Sequence, residues 1–314
     1  MTTFTPQRPV VVVGGACGDM LIALPRLPLR GEDIEGKDLG QQIGGCAFNV
    51  ARVLYRLNVP IINGMPVGNG PWGKAVETAM TEMSLPVLLR NTEMDNGWCL
   101  AMTEPDGERT FIGMTGCEAH CSREMLQRLT LPENALLYLN GYELFGTGGQ
   151  ALREWTLEQT QQKLIDLGPR LPFIPSDFIT ALSGSNSILT LNRDETKQLC
   201  GDGDVVSQAM RYAQCSGLTL ICRLDKEGAW ICPPDGKPTA IAAYPVKVVD
   251  TIGAGDAHSG GLLAGLSSNW PLDDAVNLAN QVAACVVSLQ GAAGAPDWDT
   301  LRQYFPDASP QRTG

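Results

Sequence analysis

The run Val10–Val13 constrains the fold more than any other segment. Four β-branched residues in succession, ending at Gly14-Gly15, are typical of a strand that is buried on both faces. Other apolar runs of strand length follow, with helix-length segments between them: Leu136–Leu139, Leu164–Leu167, Ile188–Leu191 and Leu218–Cys222. Because strands that alternate with helices form right-handed βαβ units, the sequence predicts a doubly wound α/β sheet with helices on both faces.

Apolar residues at helical spacing predict the main helices. One begins at Gly44-Gly45, carries the stripe Ala47, Val50, Ala51, Leu54 and Leu57, and has Asn58 as a left-handed stop. We expect further helices at residues 73–83, 255–266 and 271–289.

Two segments predict a small β structure outside this pattern. Residues 97–102 and 109–114 flank the turn Pro105-Asp106-Gly107 and read as a hairpin. The polar stretch 25–42, which contains Gly and Pro, is either a long loop or a set of short exposed strands.

The composition excludes several classes of protein. The chain has 314 residues, of which 44% are hydrophobic and 18% charged, a balance that fits neither disorder nor collagen nor coiled coil. A chain of this length can bury about 75% of its surface without disulfides or metals. The net charge of −11 without basic runs argues against a nucleic-acid partner, and no apolar run reaches the ~20 residues that cross a membrane.

The cysteines indicate a reducing compartment. Residues 1–9 lack the charged-then-apolar order of a signal peptide, and the ten cysteines lie in apolar surroundings, as Cys222 and Cys285 do. We therefore expect reduced, buried thiols and a cytoplasmic protein. Cys117, His120 and Cys121 supply three potential metal ligands, but no partner pair with zinc-finger spacing accompanies them.

Two glycine-rich segments resemble nucleotide motifs without meeting their chemistry. Gly68 to Lys74 has the spacing of a P-loop, but Ala75 stands where Ser or Thr must hold Mg²⁺, and Pro71 removes an N–H that would cradle phosphate. Gly14-Gly15 follows a strand but lacks the spacing of a dinucleotide fingerprint. We expect both segments to serve the fold.

The strongest functional signal is Asp250-Thr251-Ile252-Gly253-Ala254-Gly255-Asp256. Gly253 to Gly255 leave backbone N–H groups open at a predicted helix N-terminus, which together with the helix dipole forms an anion hole. Asp256 follows in the first turn, where a carboxylate could accept the proton of an attacking hydroxyl. The alternative is a helix start capped by Asp, with glycines kept for packing.

This segment resembles the C-terminal signature of the PfkB, or ribokinase-like, carbohydrate kinases. Three more segments are similar to family motifs: Gly44-Gly45 through Asn49-Val50-Ala51, Val67-Gly68 through Trp72-Gly73, and Asn192-Arg193-Asp194-Glu195. The resemblance spans residues 10 to 295. It implies a single domain over residues 1–314, a three-layer α/β/α sandwich with a mostly parallel central sheet, and a small β-sheet lid formed by residues 16–45 and 96–117.

The resemblance also implies the catalytic and substrate contacts. Asp256 would be the catalytic base, with the backbone of Gly253, Ala254 and Gly255 as the anion hole. Asp19 would bind sugar hydroxyls, and the same substrate would be held by Gly44, Gly45 and Asn49. Trp98 would lie on the lid, where it either stacks on a sugar or base or only packs the hairpin.

The nucleotide and metal contacts follow from the resemblance in the same way. Asn192 and Glu195 would organise the phosphates and Mg²⁺ with its waters. The remaining nucleotide contacts would be Arg223, Asp225, Gly228, Thr251, Gly255 and Asn280. Asp250 and Ile252 fall where some members bind a monovalent cation such as K⁺. Asp225 departs from the family pattern, because a carboxylate near polyphosphate must point away or pair with Arg223 or Lys226.

The resemblance implies an ATP-dependent, Mg²⁺-assisted kinase that phosphorylates a hydroxyl, most often a primary one, of a sugar or sugar-like molecule. A nucleoside kinase on the same fold and a non-catalytic sugar or nucleotide sensor are the alternatives. An intact Asp256 argues against the sensor, which needs no base. A homodimer that pairs through the lid is a further expectation.

Overall fold

The strands and helices of this protein are seen in a computed structural model that describes residues 4–306. In chain order the strands are β1 (Val10–Val13), β2 (Cys17–Ala23), β3 (Lys37–Gly44), β4 (Ile61–Gly64), β5 (Pro66–Val67), β6 (Leu89–Arg90), β7 (Trp98–Thr103), β8 (Arg109–Met114), β9 (Leu136–Asn140), β10 (Gln162–Asp166), β11 (Ser187–Asn192), β12 (Thr219–Arg223), β13 (Ala229–Cys232) and β14 (Thr239–Ile241). The α-helices are α1 (Cys46–Arg56), α2 (Pro71–Glu82), α3 (Arg123–Leu126), α4 (Gly141–Leu144), α5 (Gln150–Glu158), α6 (Ser176–Ala181), α7 (Arg193–Cys200), α8 (Val205–Ser216), α9 (Ala254–Ser267), α10 (Leu272–Val287) and α11 (Trp298–Tyr304).

Eight strands form the larger sheet, in the order β14-β13-β12-β11-β10-β9-β1-β4. The six strands from β12 to β4 run parallel to one another, while β13 and β14 add an antiparallel edge. The prediction of a mostly parallel central sheet is therefore confirmed. Its order places the carboxyl ends of β1, β9, β10, β11 and β12 side by side along one edge.

The valine run shows why helices cover both faces of this sheet. Val10 and Val12 pack into one core together with apolar residues of α1, α2, α9 and α10. Val11 and Val13 point the opposite way, into a second core with residues of α3, α5, α6 and α8. All four side chains are fully buried. The alternation of a strand thus produces the expected three layers.

The predicted helices form, with small changes at their ends. Asn58 adopts the left-handed conformation just beyond α1, with a φ of 59°. The second helix begins at Pro71 and not at Gly73, because proline fits the first turn, where its missing N–H is not needed. In α9, a Cβ at Gly261 would lie 2.8 Å from Ala279 Cα, so glycine permits the close contact with α10.

The smaller sheet has the order β3-β2-β7-β8. Its β7–β8 hairpin is antiparallel, as the turn at Pro105-Asp106-Gly107 predicts, and β2 pairs with β7 in parallel. The polar stretch 25–42 is partly loop and partly strand. Residues 25–36 form a loop, and β3 begins at Lys37. These four strands lie within the residues 16–45 and 96–117 expected for the lid.

Each half of the lid leaves the body and returns to it at a pair of adjacent glycines. A Cβ at Gly45, which has a φ of 95°, would lie 2.6 Å from the carbonyl oxygen of Gly15. A Cβ at Gly116 would collide with the backbone nitrogen of Gly97. The Glu118 carboxylate accepts hydrogen bonds from the N–H groups of both Gly97 (2.9 Å) and Gly116 (2.8 Å). We call the pairs Gly15/Gly45 and Gly97/Gly116 the two necks of the lid.

Candidate active site

A cavity of about 900 Å³ lies between the lid and the end of α9 that carries the Gly253 turn. Its size is in the range of small-molecule sites in proteins. The body contributes several polar groups to its wall, namely Cys46, Tyr142, Glu143, Arg170, Gly253 and Asp256. Asp19 faces these groups from the lid.

The lid lines this cavity with one face of its sheet. Residues two apart along each strand contribute: Cys17, Asp19 and Leu21 from β2, Cys99, Ala101 and Thr103 from β7, and Arg109, Phe111 and Gly113 from β8. This spacing of two is the period at which side chains share one face of a strand. This face of the lid therefore combines apolar side chains with one carboxylate, Asp19, and one guanidinium, Arg109.

Asp256 lies at the deep end of the cavity, in the first turn of α9. Gly253 precedes the helix in the left-handed conformation, with a φ of 74°. The side-chain amide of Asn49, on α1, donates a hydrogen bond of 2.8 Å to Asp256 Oδ2. Burial raises the pKa of Asp256 to about 7, with a further contribution from Asp166, although Asn49 and Arg223 act in the opposite direction. A carboxylate with such a pKa is a competent proton acceptor near neutral pH.

An arginine whose side chain is only 15% exposed lies beside the predicted anion hole. A Cβ at Gly255 would lie 2.5 Å from Nη1 of Arg223, so the guanidinium rests against the first turn of α9. Arg223 donates to Asp166 at 3.1 Å and approaches Glu195 at 3.5 Å. The helix N-terminus and this guanidinium together give a positive region next to Asp256.

Asn192 and Glu195 form a capping box at the start of α7. The Asn192 side chain accepts from Glu195 N at 2.8 Å, and the Glu195 carboxylate accepts from Asn192 N at 2.7 Å. Burial raises the pKa of Glu195, and the nearby Asp166 adds to this effect. The carboxylates of Glu195 and Asp166 supply the hard oxygen donors that Mg²⁺ prefers. They fit an ion that keeps most of its waters.

The other expected nucleotide residues lie around the β12–β13 turn and the helices beside it. Asp225 points outward, with its side chain 81% exposed, and pairs with Arg193 at 3.7 Å, not with Arg223 or Lys226. Gly228 has a φ of 84° and lies against the Ile241 carbonyl, while Asn280 donates to the carbonyls of Ile241 and Ala242. Thr251 is exposed in the loop before α9.

Asp250 is engaged by three donors. Its Oδ2 accepts from Nη1 of Arg109 and from the N–H of Gly291, each at 2.8 Å, and its Oδ1 accepts from Ile252 N at 3.1 Å. Burial alone would raise the pKa of Asp250, but these hydrogen bonds outweigh it and leave the pKa below its usual value. The carboxylate that was expected to bind a monovalent cation is thus already paired with a lid arginine.

Three of the expected substrate residues, Asp19, Gly44 and Gly45, lie together at the neck Gly15/Gly45. A Cβ at Gly44 would collide with Oδ2 of Asp19, so glycine makes room for that carboxylate. Burial raises the pKa of Asp19. Trp98 lines the cavity and also stacks on Trp72, with ring centroids 6.4 Å apart and planes at 17°. Both roles considered for Trp98, ligand contact and packing, are compatible with this position.

Sequence reasoning missed four charged residues of the cavity, namely Arg109, Glu118, Glu143 and Arg170. Glu143 follows β9 and is buried, and its pKa is raised to about 8 by that burial and by Glu118. Arg170 lies over the rings of Tyr142 and Phe145. Arg109 begins β8, for which the sequence predicts a hairpin strand and no contact with a ligand. A charged residue three positions beyond a buried strand was the available signal for Glu143, because ligands bind at the carboxyl ends of parallel strands.

The rejected motifs have structural roles. The N–H groups of Trp72 and Gly73, at the start of α2, are bound by the Asp95 carboxylate, which occupies the position a phosphate would need. Among residues 4–306 no group of three His, Cys, Asp or Glu side chains is arranged to hold a metal. Cys117, His120 and Cys121 therefore form no such group. Burial lowers the pKa of His258 to about 3, so it is neutral.

Comparison with known proteins identifies the family. The family model described as pfkB family carbohydrate kinase matches residues 7–299. The uncharacterized sugar kinase YegV of Escherichia coli strain K12 is 42% identical over 303 residues, covering 95% of this chain and 94% of the relative. The chain belongs to the pfkB family of carbohydrate kinases.

Solved structures agree with the fold. The ribokinase of Thermotoga maritima superposes with a TM-score of 0.81 at 18% identity, covering 96% of this chain and 100% of that one. The ribokinase of Arabidopsis thaliana, solved with ribose and ATP, gives a TM-score of 0.79 at 21% identity, covering 95% and 98%. The ribokinase-like fold is therefore confirmed. The family model and the relative from Escherichia coli confirm the classification as a kinase. Within residues 4–306, no helix combines the length and apolar character that a transmembrane segment needs.

Proposed function

We propose that the protein transfers the γ-phosphoryl group of ATP to a hydroxyl, most often a primary one, of a sugar or sugar-like molecule bound between the lid and α9. The observation that carries this proposal is the position of Asp256, a buried carboxylate at the end of a ligand-sized cavity and next to a positively charged helix N-terminus. This arrangement unites a proton acceptor with an anion site.

In the proposed reaction, the substrate is held from two sides. Asp19, on the lid, would accept hydrogen bonds from sugar hydroxyls, and the backbone at Gly44 and Gly45 lets the ring approach closely. Asn49 would hold the same substrate and keep the Asp256 carboxylate oriented. Closure of the lid would exclude water, so that ATP is not hydrolysed.

Asp256 would take the hydroxyl proton as the substrate oxygen bonds to the γ-phosphorus. The bond from that phosphorus to the bridging oxygen breaks, and ADP leaves with the electron pair. The N–H groups of Gly253, Ala254 and Gly255, together with Arg223, would stabilise the negative charge on the transferred group. The outward turn of Asp225 supports this assignment, because its charge is directed away from Arg223 and towards Arg193.

Asn192 and Glu195, with Asp166 beside them, would hold Mg²⁺ through its waters. When bound, that ion neutralises phosphate charge. Gly228, Thr251 and Asn280 are proposed to contact the nucleotide, with Asn280 on the helix that flanks the base. Asp225 keeps a place in this set only through its backbone in the β12–β13 turn.

A nucleoside substrate is the second candidate. Trp98, Leu21, Phe111 and Met114 give the lid side of the cavity an aromatic and apolar character that a bare sugar does not require. A base could stack on Trp98 while its ribose reaches Asp19. Trp98→Ala would then weaken binding of nucleosides more than that of simple sugars.

Two further expectations remain proposals. We infer a homodimer formed through the lid, supported by the exposed Phe111 and Ile112 on its edge strand β8. We also infer that the protein acts in the cytoplasm, which agrees with free cysteines among the described residues.

The test is ADP release with Mg-ATP over a panel of pentoses, hexoses, sugar acids and nucleosides. Asp256→Asn should lose turnover of the accepted compound by at least about a thousandfold, in line with the loss of a base that acts with an anion hole. Asp235→Asn, at an exposed aspartate between β13 and β14, is the matched control and should retain full activity. Ligand-induced stabilisation without turnover would favour the sensor instead.

A further inference from the structure

The strongest unexplained contact outside the reacting groups joins the lid to the loop before α9. Arg109 lies on the cavity face of β8, and its Nη1 donates to Asp250 Oδ2 at 2.8 Å. The two side chains are only 21% and 8% exposed. The pair is therefore largely shielded from solvent, where an ionic contact is screened least.

Asp250 organises the backbone on which the anion hole depends. Its two oxygens bind the N–H of Ile252, just before Gly253, and the N–H of Gly291 in the segment after α10. That segment also touches the turn directly, because a Cβ at Gly253 would lie 2.5 Å from Ala292 Cβ. Asp250 therefore ties these two loops together, and a positive charge beside it offsets the cost of burying its negative charge.

A monovalent cation at this carboxylate does not fit the donors that are present. An ionised carboxylate offers about four acceptor positions, of which Arg109, Gly291 and Ile252 occupy three. A cation bound to the remaining position would also lie beside a guanidinium of the same sign, which repels it. The single negative charge of Asp250 is already matched by the single positive charge of Arg109.

We propose that the guanidinium of Arg109 takes the place of a monovalent cation at Asp250, so that the charge stabilising the anion-hole loops is supplied by the lid itself. An ion from solution would occupy the site whatever the lid does. Arg109 does so only when β8 lies against the body. Lid closure and ordering of the Gly253–Gly255 turn are then one event, and the enzyme is indifferent to K⁺.

The test uses thermal unfolding of the full chain, which needs no known substrate. Midpoints are compared in KCl, NaCl and tetramethylammonium chloride at equal ionic strength. The wild-type midpoint should be the same in all three salts. Arg109→Ala should become K⁺-responsive, with a midpoint about 2–4 °C higher in 100 mM KCl than in tetramethylammonium chloride, as expected when an ion occupies a vacated site well above its Kd.

The matched control is Arg26→Ala, which removes a lid arginine whose partner is the exposed Glu32. It should remain as indifferent to K⁺ as the wild type. Guanidinium ion at a few millimolar should stabilise Arg109→Ala but not Arg26→Ala. If Arg109→Ala does not fold, Arg109→Gln, which keeps a donor without the charge, takes its place in the same comparison.

Two results would overturn the proposal. One is a wild-type midpoint that rises in KCl as much as that of the variant, since the site would then bind an ion despite Arg109. The other is an Arg109→Ala protein that stays indifferent to K⁺, since there would be no cation position to vacate. The proposal rests on the proposed function for the role of the Gly253–Gly255 turn. An inactive protein would contradict that function and leave the salt comparison readable.

Discussion

The side-chain amide of Asn49 and the carboxylate of Asp256 are joined by a hydrogen bond of 2.8 Å, although 207 positions separate them in the chain. The bond connects α1 to the first turn of α9 and fixes the orientation of the proposed base at the end of the cavity. Because the amide donates to the ionised form, it also favours deprotonated Asp256. The proton affinity of the proposed base thus depends on a residue that is also proposed to hold the substrate.

The rate of phosphoryl transfer should fall as the pH is lowered through about 7. Burial, aided by Asp166, raises the pKa of Asp256 to about 7, and only the ionised form can accept the hydroxyl proton. Below that pH, kcat should decline about tenfold per pH unit. The measurement is a steady-state profile from pH 5.5 to 9 at saturating Mg-ATP. A flat profile over this range would contradict the assignment of Asp256 as the base.

Asn49→Ala should move the acid limb of that profile upward by about one or two pH units. The lost hydrogen bond to a charged group is worth about 1.5–3 kcal/mol, and 1.4 kcal/mol corresponds to one pH unit. The shift is read from kcat, since Asn49 is also a proposed substrate contact and its loss can raise KM. Asn134→Ala, at an exposed asparagine just before the amino end of β9, should leave the limb in place.

Stability should decrease as the pH rises from 5 towards 8. The folded-state pKa values of Asp256 (about 7) and Glu143 (about 8) lie above their ordinary values, mainly because of burial. Between the unfolded and the folded pKa, the folded state binds more protons, so each group lowers the free energy of unfolding by about 1.4 kcal/mol per pH unit at most.

Urea unfolding at pH 5, 6, 7 and 8 measures this slope. Glu143→Gln should flatten it and raise the free energy of unfolding at pH 8, because the neutral amide carries no buried charge. Glu154→Gln, an exposed change of the same kind on α5, should have no such effect. A slope that Glu143→Gln leaves unchanged would show that Glu143 takes up no proton on folding in this range.

Gly255→Ala should weaken nucleotide binding by at least about tenfold. The new methyl group would lie 2.5 Å from Nη1 of Arg223, whose guanidinium is held in place by Asp166 and Glu195. Displacing it breaks charge-assisted hydrogen bonds and leaves two buried carboxylates poorly paired. Calorimetric titration with ADP and Mg²⁺ measures the loss.

The matched change is Gly113→Ala, because a Cβ at Gly113 meets no atom within 4 Å. This glycine lies on the lid, away from Arg223, so ADP affinity should be unaffected. Equal ADP affinity in Gly255→Ala and the wild type would mean that Arg223 does not contribute to the nucleotide site.

The sequence predicts those features of the fold that local patterns encode. The four valines at 10–13 specify a strand buried on both faces, and the spacing of apolar residues around Asn49 specifies α1. The β7–β8 hairpin follows from its turn at Asp106-Gly107. The Asp250–Asp256 segment and the glycine pair at 44–45 indicate the family, which the family model confirms.

The remaining features depend on contacts between distant segments. Asp250 and Arg109 are 141 positions apart in the chain and meet only because a lid strand lies against the loop before α9. No local pattern predicts this contact. The partner of Asp225 is Arg193, on a neighbouring helix, whereas the sequence suggested only its near neighbours Arg223 and Lys226. The burial of Glu143 likewise becomes visible only once Glu118 and the neck glycines lie beside it.

The two necks of the lid mark the ends of the segments whose length is free to change. Since the chain departs and returns through touching glycines, the segments between Gly15 and Gly45 and between Gly97 and Gly116 span almost no distance across the body. Length changes within such closed excursions add little to the entropy of chain closure. The lid can accordingly change in length and sequence between its necks, and so alter which molecule is recognised, as long as a positive charge still reaches Asp250.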